Sequence, residues 1–415
     1  MKSFDVVVVG QGYVGLPLSI AIAEAGFKVV GFDLNSDLVA RLNSGKSHIE
    51  DIPSELLAKF LSSGNYTATS NPADFCDCAV AIIAVPTPLN FERQPDISYI
   101  ESASKILGEN LKNSTLIINE STSYPGTLRD VIAPIVNKHT QQNMIHSFAI
   151  SPERVDPGNT DWNIKNTPRI LAGLTEDARE KAREFYSRFC DNLIEVSSPE
   201  VAEFAKLFEN TFRQVNIALV NEFATITEAL DVSVNEVLEA AGTKPYGFMK
   251  FTPGLGVGGH CIPIDPSYLA HTAKAFGLEP KFIDLANKVN LETPIAVAKK
   301  IVEFFSGATH KKILVCGVSY KSNVADTRET PAASFIDALR KFGFEVFWHD
   351  PLVKSWRGEE SYMPIKSEFD LTVIAMLHDS IDLRLIKASS WSILNLTDKG
   401  FLNIGNESVD DEDNN

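Results

Sequence analysis

The first third of the chain alternates short, almost wholly apolar runs with longer amphipathic stretches. The apolar runs predict buried strands at Val6–Val9, Lys28–Asp33, Cys78–Val85, Ser114–Asn119 and Ser147–Ser151. Strands of this kind, separated by helical segments, are typical of a parallel sheet covered by helices on both faces. We therefore expect a doubly wound α/β domain at the N-terminus.

The pattern changes to nearly continuous helix from about Pro199 to Phe305. An α/β pattern then returns, with strands predicted at Lys311–Val318, Phe344–Asp350 and Leu371–Ala375. We predict four segments: an N-terminal nucleotide-binding domain (1–198), a central helical segment (199–305), a C-terminal nucleotide-fold domain (306–404) and an acidic disordered tail (405–415).

Composition narrows the class of protein. At 415 residues the chain is too long for one hydrophobic core, and its net charge of −16 argues against a nucleic-acid partner. The sequence contains no apolar run of the roughly 20 residues that cross a bilayer and no signal peptide, so we expect a cytoplasmic protein with no membrane partner. The five cysteines and the histidines lack the spacing of a disulfide framework or a metal site, so we expect no metal.

A glycine-rich turn follows the first predicted strand. Gly10, Gly12 and Gly15, with Gln11, Tyr13 and Val14 between them, form a G-x-G-x-x-G at the start of an apolar helix. Such a turn binds a dinucleotide pyrophosphate at the helix N-terminus. Asp33 ends the next strand, where the ribose-binding acid belongs, and no arginine follows it to receive a 2′-phosphate. The alternative is a turn that only packs a helix on a sheet. The context favours an NAD site, and the fold class predicted is α/β with two Rossmann-like doubly wound domains joined by a central helical segment.

Cys261 stands in an unusual context. It follows Gly258, Gly259 and His260 at the end of a glycine-rich loop. The two glycines permit backbone conformations whose N–H groups converge on an anion, and such a nest stabilises a thiolate. Buried packing is the commoner role of a cysteine, but this loop in a chain with a dinucleotide motif favours a nucleophile. Asp265, four residues on, is placed to orient a cation or a water.

One helix of the central segment has two distinct faces. An apolar face is predicted for Phe204, Phe208, Thr211, Val215 and Ala218. Lys206, Asn210 and Arg213 share another face, at i, i+4 and i+7. That polar face has two interpretations, a solvated surface or a functional one. An asparagine in a stripe poor in acids favours the functional interpretation.

Together these motifs resemble the UDP-glucose/GDP-mannose dehydrogenase family over nearly the whole chain, the tail excepted. The matching stretches are Gly10–Leu16, Val85–Pro88, Glu120–Thr127, Ser151–Arg154, Lys206–Arg213, Pro253–Pro266, Ser319–Asn323 and Asp326–Glu329. The resemblance implies that two NAD⁺ oxidise the C6 hydroxyl of a UDP-sugar to a carboxylate, through a thiohemiacetal and then a thioester on Cys261.

The resemblance also implies roles residue by residue. Lys206 would act in proton transfer and, with Asn210, stabilise an oxyanion and contact the substrate. Asp265 would order the hydrolytic water or Lys206, while Thr122 and Glu153 would act in water positioning and thioester hydrolysis. Substrate contacts are implied at Arg154, Val155, Arg213, Gly258, Tyr320 and Lys321. Cofactor contacts are implied at Thr87, Thr122 and Arg328, in addition to the glycine turn and Asp33.

Two regions bear on the sugar. His260 before Cys261, and Ile262–Asp265 after it, resemble the N-acetylhexosamine branch of the family rather than the UDP-glucose enzymes. The loop Thr243–Met249 resembles that of UDP-N-acetylglucosamine 6-dehydrogenases, and Gly247 stands where the UDP-N-acetylmannosamine branch carries an arginine. We expect UDP-N-acetylglucosamine, with UDP-N-acetylgalactosamine next and UDP-N-acetylmannosamine or UDP-glucose as further alternatives. The product would feed surface polysaccharide synthesis.

Two other classes of protein stay open at this point. One is a non-catalytic regulator that binds NAD or a nucleotide sugar, and the other is a two-electron dehydrogenase that stops at an aldehyde or ketone. Presence of Cys261, Lys206, Asn210 and Asp265 together favours the four-electron enzyme. The central helices resemble the dimer-forming segment of the family, which implies a homodimer or a larger homo-oligomer.

Overall fold

The computed structural model describes residues 4–49, 51–141, 144–156, 158–159, 161–306, 311–364, 368–390 and 392–396. The chain forms two compact units, Met1–Glu209 with Ser267–Gly277 (unit 1) and Asn210–Pro266 with Leu278–Asn415 (unit 2). The boundary falls inside the helical segment that the sequence analysis treats as one domain. The predicted acidic tail lies outside the described residues.

Unit 1 is built on a sheet with strand order β3-β2-β1-β4-β5-β6-β7-β8. The pairs are parallel except for β6 with β7. Each strand predicted here is confirmed, with ends shifted by up to two residues, whereas β3, β7 and β8 were not predicted. The strands are β1 (Val6–Val9), β2 (Val29–Phe32), β3 (Tyr66–Thr69), β4 (Val80–Ile83), β5 (Leu116–Asn119), β6 (Ser147–Ile150), β7 (Arg169–Gly173) and β8 (Leu193–Glu195).

Helices cover both faces of this sheet because its strands are apolar on both sides. Val6 and Val8 of β1 pack in one hydrophobic cluster, whereas Val7 and Val9 pack in another. The Asn35 side chain caps α2 by accepting two backbone N–H bonds. The helices are α1 (Gly15–Glu24), α2 (Ser36–Asn43), α3 (Ser54–Ser63), α4 (Ser98–Asn110), α5 (Ala133–His139, preceded by a π-helical turn at Leu128–Ile132) and α6 (Glu176–Tyr186).

The central segment contains four further helices, α7 (Pro199–Ala229), α8 (Val234–Gly242), α9 (Asp265–Ala275) and α10 (Lys281–Phe304). The faces of α7 differ from a simple amphipathic pattern. Thr211 and Ala218 are buried as expected, but Phe204 and Phe208 are 44% and 66% exposed. Lys206, on the other face, is only 7% exposed. The interpretation of that face as a solvated surface is therefore wrong at Lys206.

Unit 2 carries a smaller parallel sheet with order β10-β9-β13-β14. The three strands predicted here are confirmed, and β14 was not predicted. Phe335 and Ile336 pack with Ile313 and Val315 of β9 in a buried cluster. The elements are β9 (Lys312–Cys316), α11 (Pro331–Lys341), β10 (Glu345–His349), a hairpin of β11 (Ser355–Trp356) and β12 (Glu359–Glu360), β13 (Leu371–Ile374), α12 (Leu383–Ser389) and β14 (Ile393–Asn395).

Both sheets have the strand order of an open α/β fold, with a central helical segment between them in sequence, as the fold class predicts. In each, the chain leaves the first strand towards one edge and later returns to its other side, so that β1 and β4, and likewise β9 and β13, flank a topological switch point. Among the described residues, no helix is long and apolar enough to span a bilayer.

Candidate functional site

Of the three glycines in the turn after β1, two have no room for a side chain and one does. A Cβ at Gly10, where φ is +93°, would lie 2.4 Å from the Ala84 carbonyl oxygen, and one at Gly15 would lie 1.8 Å from the Gly10 oxygen. A Cβ at Gly12 would meet none of the described atoms within 4 Å. Because Gly12 faces open space beside the first turn of α1, the turn leaves room for a pyrophosphate at a helix N-terminus and fits a dinucleotide.

Gln11 and Asp33 brace this turn. The Gln11 side chain is buried, donates to the Val8 carbonyl at 3.0 Å and accepts from the Tyr66 hydroxyl at 2.9 Å. The Gln11 side chain is therefore engaged within the protein. Its N–H donates to Asp33 Oδ2 at 2.9 Å, and the Asn35 N–H donates to Oδ1 at 2.9 Å. Asp33 is half-buried at the carboxyl end of β2, next to β1.

Thr87 and Thr122 lie on the loops that leave β4 and β5, and both are half-buried. Ser121 ties these loops together, since its hydroxyl accepts from the Val85 N–H at 2.9 Å. Tyr13 and Val14 pack partly buried against the hydrophobic cluster beside α1. The sheet thus brings the glycine turn, Thr87 and Thr122 to the carboxyl ends of adjacent strands, where ligands bind in open α/β sheets.

Glu203 holds the loop that carries Thr122, and the sequence analysis missed it. Its carboxylate accepts from the Gly126 N–H at 2.7 Å, the Leu128 N–H at 3.2 Å and the Ser123 hydroxyl at 3.2 Å. The side chain is 1% exposed, and burial raises the pKa of Glu203 to about 7. Its position one helical turn before Lys206 is the only sequence signal that pointed to it.

Glu153 and Lys206 interact electrostatically in unit 1. Desolvation raises the pKa of Glu153, against the charge of Lys206, which lowers it. The Glu153 carboxylate also accepts from the Val155 N–H. A carboxyl group whose pKa is raised, near a buried ammonium group, is suited to moving a proton near neutral pH.

Arg154 is fixed within unit 1. Its guanidinium donates to both Glu209 carboxylate oxygens, at 2.6 and 3.1 Å, and to the Pro168 carbonyl at 2.7 Å. This bidentate pair orients the side chain at the end of the unit 1 part of α7. A substrate contact from Arg154 therefore requires a group that binds without displacing Glu209.

In unit 2, Asn210 and Asp265 meet beside the cysteine turn. The Asn210 amide donates to Asp265 Oδ2 at 2.5 Å, and Asp265 is fully buried. Cys261 accepts the N–H groups of Asp265 and Ile264 on its carbonyl, at 2.8 and 3.0 Å, so the turn leads directly into α9. The structure brings these three predicted residues together, whereas Arg213 is exposed two residues beyond Thr211 on α7.

Cys261 is half-buried, whereas the other four cysteines are buried. Burial raises the pKa of Cys78 to about 12 and that of Cys190 to about 11, so both remain thiols at neutral pH. Cys190 and Cys316 are buried in hydrophobic clusters, which gives them a packing role.

The two glycines before Cys261 lie against Tyr320, and one of them does not contribute its N–H to the anion nest expected from sequence. The Gly259 N–H donates to the Arg328 carbonyl at 3.0 Å, so this donor is already used. A Cβ at Gly258 or Gly259 would lie 2.7 Å from the Tyr320 side chain. The expectation of a nest is corrected at Gly259: the glycines are needed because Tyr320 packs directly on their backbone.

Arg328 lies at the same loop. Its guanidinium forms an ion pair with Asp326, at 2.5 Å for the shortest contact, and it contacts His260 Nδ1 at 3.0 Å. The residue that precedes the nucleophile candidate is therefore held by an arginine of the second α/β fold.

A cavity of about 280 Å³ opens at the switch point of the unit 2 sheet. It lies at the carboxyl ends of β9 and β13, beside Gly317 and Met376, and its other walls are the loop 252–256, Ser319, Tyr320 and Pro331. Lys321 is half-buried next to Tyr320. The position and the volume of this cavity suit part of a nucleotide, and an aromatic ring (Tyr320) and a cation (Lys321) lie on the loop beside it.

A dinucleotide turn in unit 1 and a nucleotide-sized cavity in unit 2 are the parts of a dehydrogenase whose second substrate carries a nucleotide. Comparison with known proteins makes this specific. The models of the UDP-glucose/GDP-mannose dehydrogenase family match the chain at residues 4–190 (NAD binding domain), 200–292 (central domain) and 314–390 (UDP binding domain).

Relatives agree over almost the whole length. A UDP-N-acetyl-D-mannosamine dehydrogenase of Pyrococcus horikoshii is 37% identical, over 90% of this chain and 89% of the relative. A UDP-N-acetyl-D-glucosamine 6-dehydrogenase of Pseudomonas aeruginosa is 34% identical, over 91% of each. The solved structure of a UDP-D-ManNAc dehydrogenase from Pyrococcus horikoshii superimposes with a TM-score of 0.86 at 34% identity, over 97% of this chain and 96% of that one. The chain belongs to the UDP-glucose/GDP-mannose dehydrogenase family, and it is an NAD-dependent UDP-sugar dehydrogenase.

Proposed function

We propose that this enzyme oxidises the C6 hydroxyl of a UDP-N-acetylhexosamine to a carboxylate in a four-electron reaction, with Cys261 as covalent nucleophile. The observation that carries the proposal is the cysteine turn. It presents a half-buried thiol beside a buried Asp265 that is bonded to Asn210. A thiol next to this hydrogen-bonded Asp265–Asn210 pair suits a site that holds an aldehyde covalently and later admits one water molecule.

The chemistry divides into steps that balance. NAD⁺ supplies the hydride acceptor for both oxidations. Loss of a hydride from C6 and a proton from O6 gives an aldehyde, to which the Cys261 sulfur adds to form a thiohemiacetal. Loss of a second hydride from C6 and of the hydroxyl proton gives a thioester, and water then adds to its carbonyl, displaces the Cys261 thiolate and releases the carboxylate. The covalent step prevents escape of the aldehyde.

The remaining roles follow from charge and hydrogen bonding. Lys206 exchanges the O6 proton and, with the Asn210 amide, stabilises the oxyanion that develops at each step. Glu153, whose pKa is raised by burial, takes a proton from the hydrolytic water, and Thr122 helps to position that water. Asp265 keeps Asn210 oriented through their 2.5 Å hydrogen bond.

The nucleotide half of the substrate is assigned to the unit 2 cavity. Tyr320 forms part of its wall, and Lys321 supplies positive charge for a diphosphate. Gly258 allows the close packing of Tyr320. Arg213 is exposed and available to a phosphate, and Val155 and Arg154 are proposed as further contacts.

For the sugar we favour UDP-N-acetylglucosamine, with UDP-N-acetylmannosamine as second candidate because the P. horikoshii relative carries that name. Gly247 supports the first. Its φ of +70° lies in the left-handed region, which disfavours the arginine expected at this position for mannosamine enzymes. The uronic acid formed would supply surface polysaccharide synthesis.

The test is NADH absorbance with UDP-N-acetylglucosamine, UDP-N-acetylgalactosamine, UDP-N-acetylmannosamine and UDP-glucose. We expect two NADH per UDP-N-acetylglucosamine and the highest kcat/KM for that sugar. Cys261→Ala should abolish acid formation, whereas Cys76→Ala, at a buried cysteine, should keep its rate within about twofold. One NADH per sugar, with activity that survives Cys261→Ala, would instead indicate a two-electron dehydrogenase.

We also propose that the active enzyme is a homodimer or larger. Exposed apolar side chains on α7 (Phe208, Leu219) and on α10 (Phe282, Leu285) support this, because helices of a monomer normally bury such residues. Light scattering should give at least twice the 45.6 kDa chain mass. Leu219→Glu should shift it towards one chain, with Glu222→Lys as an exposed control on the same helix. A fully active wild-type monomer would refute the proposal.

A further inference from the structure

The loop that carries Tyr320 and Lys321 is anchored by the turn that follows β13. The Asn323 side chain donates to Asp379 Oδ2 at 2.8 Å and accepts from the Asp379 N–H at 2.9 Å. The Ser322 hydroxyl donates to the Leu377 carbonyl. Asn323 has φ +61°, a left-handed conformation that a non-glycine residue adopts only where its surroundings stabilise it.

His378 lies at the centre of this anchor and is 1% exposed. The Asn323 backbone N–H donates to His378 Nδ1 at 2.9 Å. A backbone N–H only donates, so Nδ1 accepts and the proton of the neutral ring is on Nε2. Nε2 lies 3.1 Å from Asp350 Oδ2 and 3.0 Å from Ser319 Oγ, and both accept from it.

The network continues to the residues of the cavity. The Ser319 hydroxyl donates to the Lys321 carbonyl at 3.0 Å, and the Asp350 carboxylate accepts from the Val318 N–H at 2.9 Å. One imidazole is thus bonded to the first and last residues of the stretch Ser319–Asn323, and through Ser319 to Lys321. Ser319 and Tyr320 themselves line the cavity.

We propose that His378 is a positioning residue for the nucleotide half of the substrate: its fixed Nε2–H tautomer holds the loop 319–323 so that Tyr320 and Lys321 are preorganised for UDP. The inference rests on the proposed assignment of the unit 2 cavity to UDP. Nothing in the chemistry of C6 oxidation calls on His378, so its effect falls on nucleotide affinity rather than on hydride transfer.

Two substitutions separate the ring nitrogens. The amide oxygen of asparagine is attached to Cγ, as Nδ1 is, so His378→Asn keeps an acceptor for the Asn323 N–H. The amide of glutamine lies one bond farther out, near Nε2, so His378→Gln loses that acceptor. His349→Gln is the matched control, because His349 lies in the same fold at the end of β10 and contacts Ser361, at 3.4 Å, outside the stretch Ser319–Asn323.

The experiment is calorimetric titration of the full-length protein with UDP and, separately, with NAD⁺, accompanied by kcat and KM. His378→Gln should weaken UDP binding about tenfold and raise the KM of the UDP-sugar, with NAD⁺ affinity and kcat within about twofold of wild type. His378→Asn should recover most of the UDP affinity, and His349→Gln should keep it. Asp379→Ala, at an exposed position, removes the acceptor of the Asn323 side chain and should weaken UDP binding by a few-fold.

Three results decide the matter. UDP affinity unchanged in both His378→Gln and Asp379→Ala would overturn the inference alone. Loss of UDP and NAD⁺ affinity together, with a lower Tm and no recovery in His378→Asn, would show a merely structural histidine and also overturn it. A wild-type protein that turns over no UDP-sugar and binds no UDP would overturn the proposed function, and the inference with it.

Discussion

The two α/β folds of this chain begin alike and then diverge. In unit 1, Gly10 follows β1 with φ +93°, and a Cβ there would lie 2.4 Å from the Ala84 oxygen beyond β4. In unit 2, Gly317 follows β9 with φ +82°, and a Cβ there would lie 2.0 Å from the Met376 oxygen beyond β13. In both, a glycine lets the first strand turn tightly against its neighbour at the switch point.

The next residues separate the two folds. Gly12 opens onto free space and α1 begins at Gly15, whereas Ser319, at the corresponding place, is buried and α11 begins only at Pro331. The unit 1 turn therefore leads at once into a helix N-terminus that receives phosphate. The unit 2 turn leads instead into a loop that forms the wall of a cavity.

The acids at the ends of the second strands differ in the same way. Asp33 is half-buried and binds two backbone N–H groups. Asp350 is buried and accepts from Val318, Leu352, Val353 and His378. An acid used so fully inside the protein has little capacity left for a ribose. The two folds share one architecture and differ in two places, the turn after the first strand and the acid after the second. Both are accessible in the dinucleotide-binding fold of unit 1, and both are buried in unit 2, whose cavity has the size of part of a mononucleotide.

The largest effect should come from the glycines that both folds share. Gly10→Val and Gly317→Val each force a side chain against a carbonyl at positive φ, so each should destabilise the protein by more than about 4 kcal/mol. Gly64→Val is the control, since its φ is also positive (+75°) but a Cβ there has no described atom within 4 Å. Differential scanning calorimetry gives the Tm of the three variants. Equal Tm values for Gly317→Val and Gly64→Val would break the parallel between the folds.

Buried carboxylates should give the two units opposite responses to pH. Burial raises the pKa of Glu203 to about 7, so its contribution to stability is complete below about pH 4.5 and is lost as the pH rises through about 7. Burial alone would raise the pKa of Asp350, but the hydrogen bond from His378 and backbone N–H groups lower it, so its contribution is lost only as acid protonates it.

Glu203→Gln should therefore gain about 3 kcal/mol relative to wild type between pH 5 and 8, visible as a widening Tm difference. Glu200→Gln, on the same helix, is the control. The hydrogen bond from Arg129 lowers the pKa of Glu200 to about 2, so its titration falls outside this window. A Tm difference for Glu203→Gln that stays flat from pH 5 to 8 would contradict the account.

Gly12→Val should separate the ligands of the two folds. The side chain fits the folded protein but fills the space beside the α1 N-terminus, so the KM for NAD⁺ should rise about 100-fold, or about 2.7 kcal/mol, with UDP affinity unchanged. Fluorescence or calorimetric titration with each ligand measures this. An unchanged NAD⁺ affinity in a folded variant would place the cofactor elsewhere.

The smallest effect is expected at the acids. Asp33→Asn weakens the hydrogen bond that the side chain accepts from a ribose hydroxyl, so the KM for NAD⁺ should rise about tenfold. The preference of the enzyme for NAD⁺ over NADP⁺ should become smaller. Asp350→Asn, its counterpart, should lower the Tm and leave the KM for NAD⁺ unchanged. If Asp350→Asn raised that KM as Asp33→Asn does, the distinction between the acids would fail.

Sequence patterns captured what is local in this molecule. The strands of continuous apolar residues, the glycine turn with Asp33 and the loop before Cys261 were recognised because each is set by neighbouring residues. Tyr66–Thr69 was missed as a strand because two of its four residues are threonines, and Leu193–Glu195 because it has three residues and is largely exposed. A three-residue strand takes its structure from the strand beside it rather than from its own pattern.

Long-range contacts were beyond the reach of such patterns. Glu203 contacts a loop 77 residues away at Gly126, and His378 contacts Asn323 across 55 residues. Both are unremarkable in sequence, and their partners are known only once the sheet is assembled. The burial of Lys206 and the exposure of Phe208 were not predicted for the same reason. Helical periodicity identifies the faces of a helix but not which other elements cover them.

The covalent role of Cys261 is tested most directly by mass spectrometry of the enzyme quenched during turnover with NAD⁺ and UDP-N-acetylglucosamine. The account predicts that the peptide containing Cys261 gains the mass of the nucleotide sugar, and that this adduct disappears as the acid is released. Acid formation at the wild-type rate by Cys261→Ala, with no adduct on the wild-type peptide at any time, would contradict it.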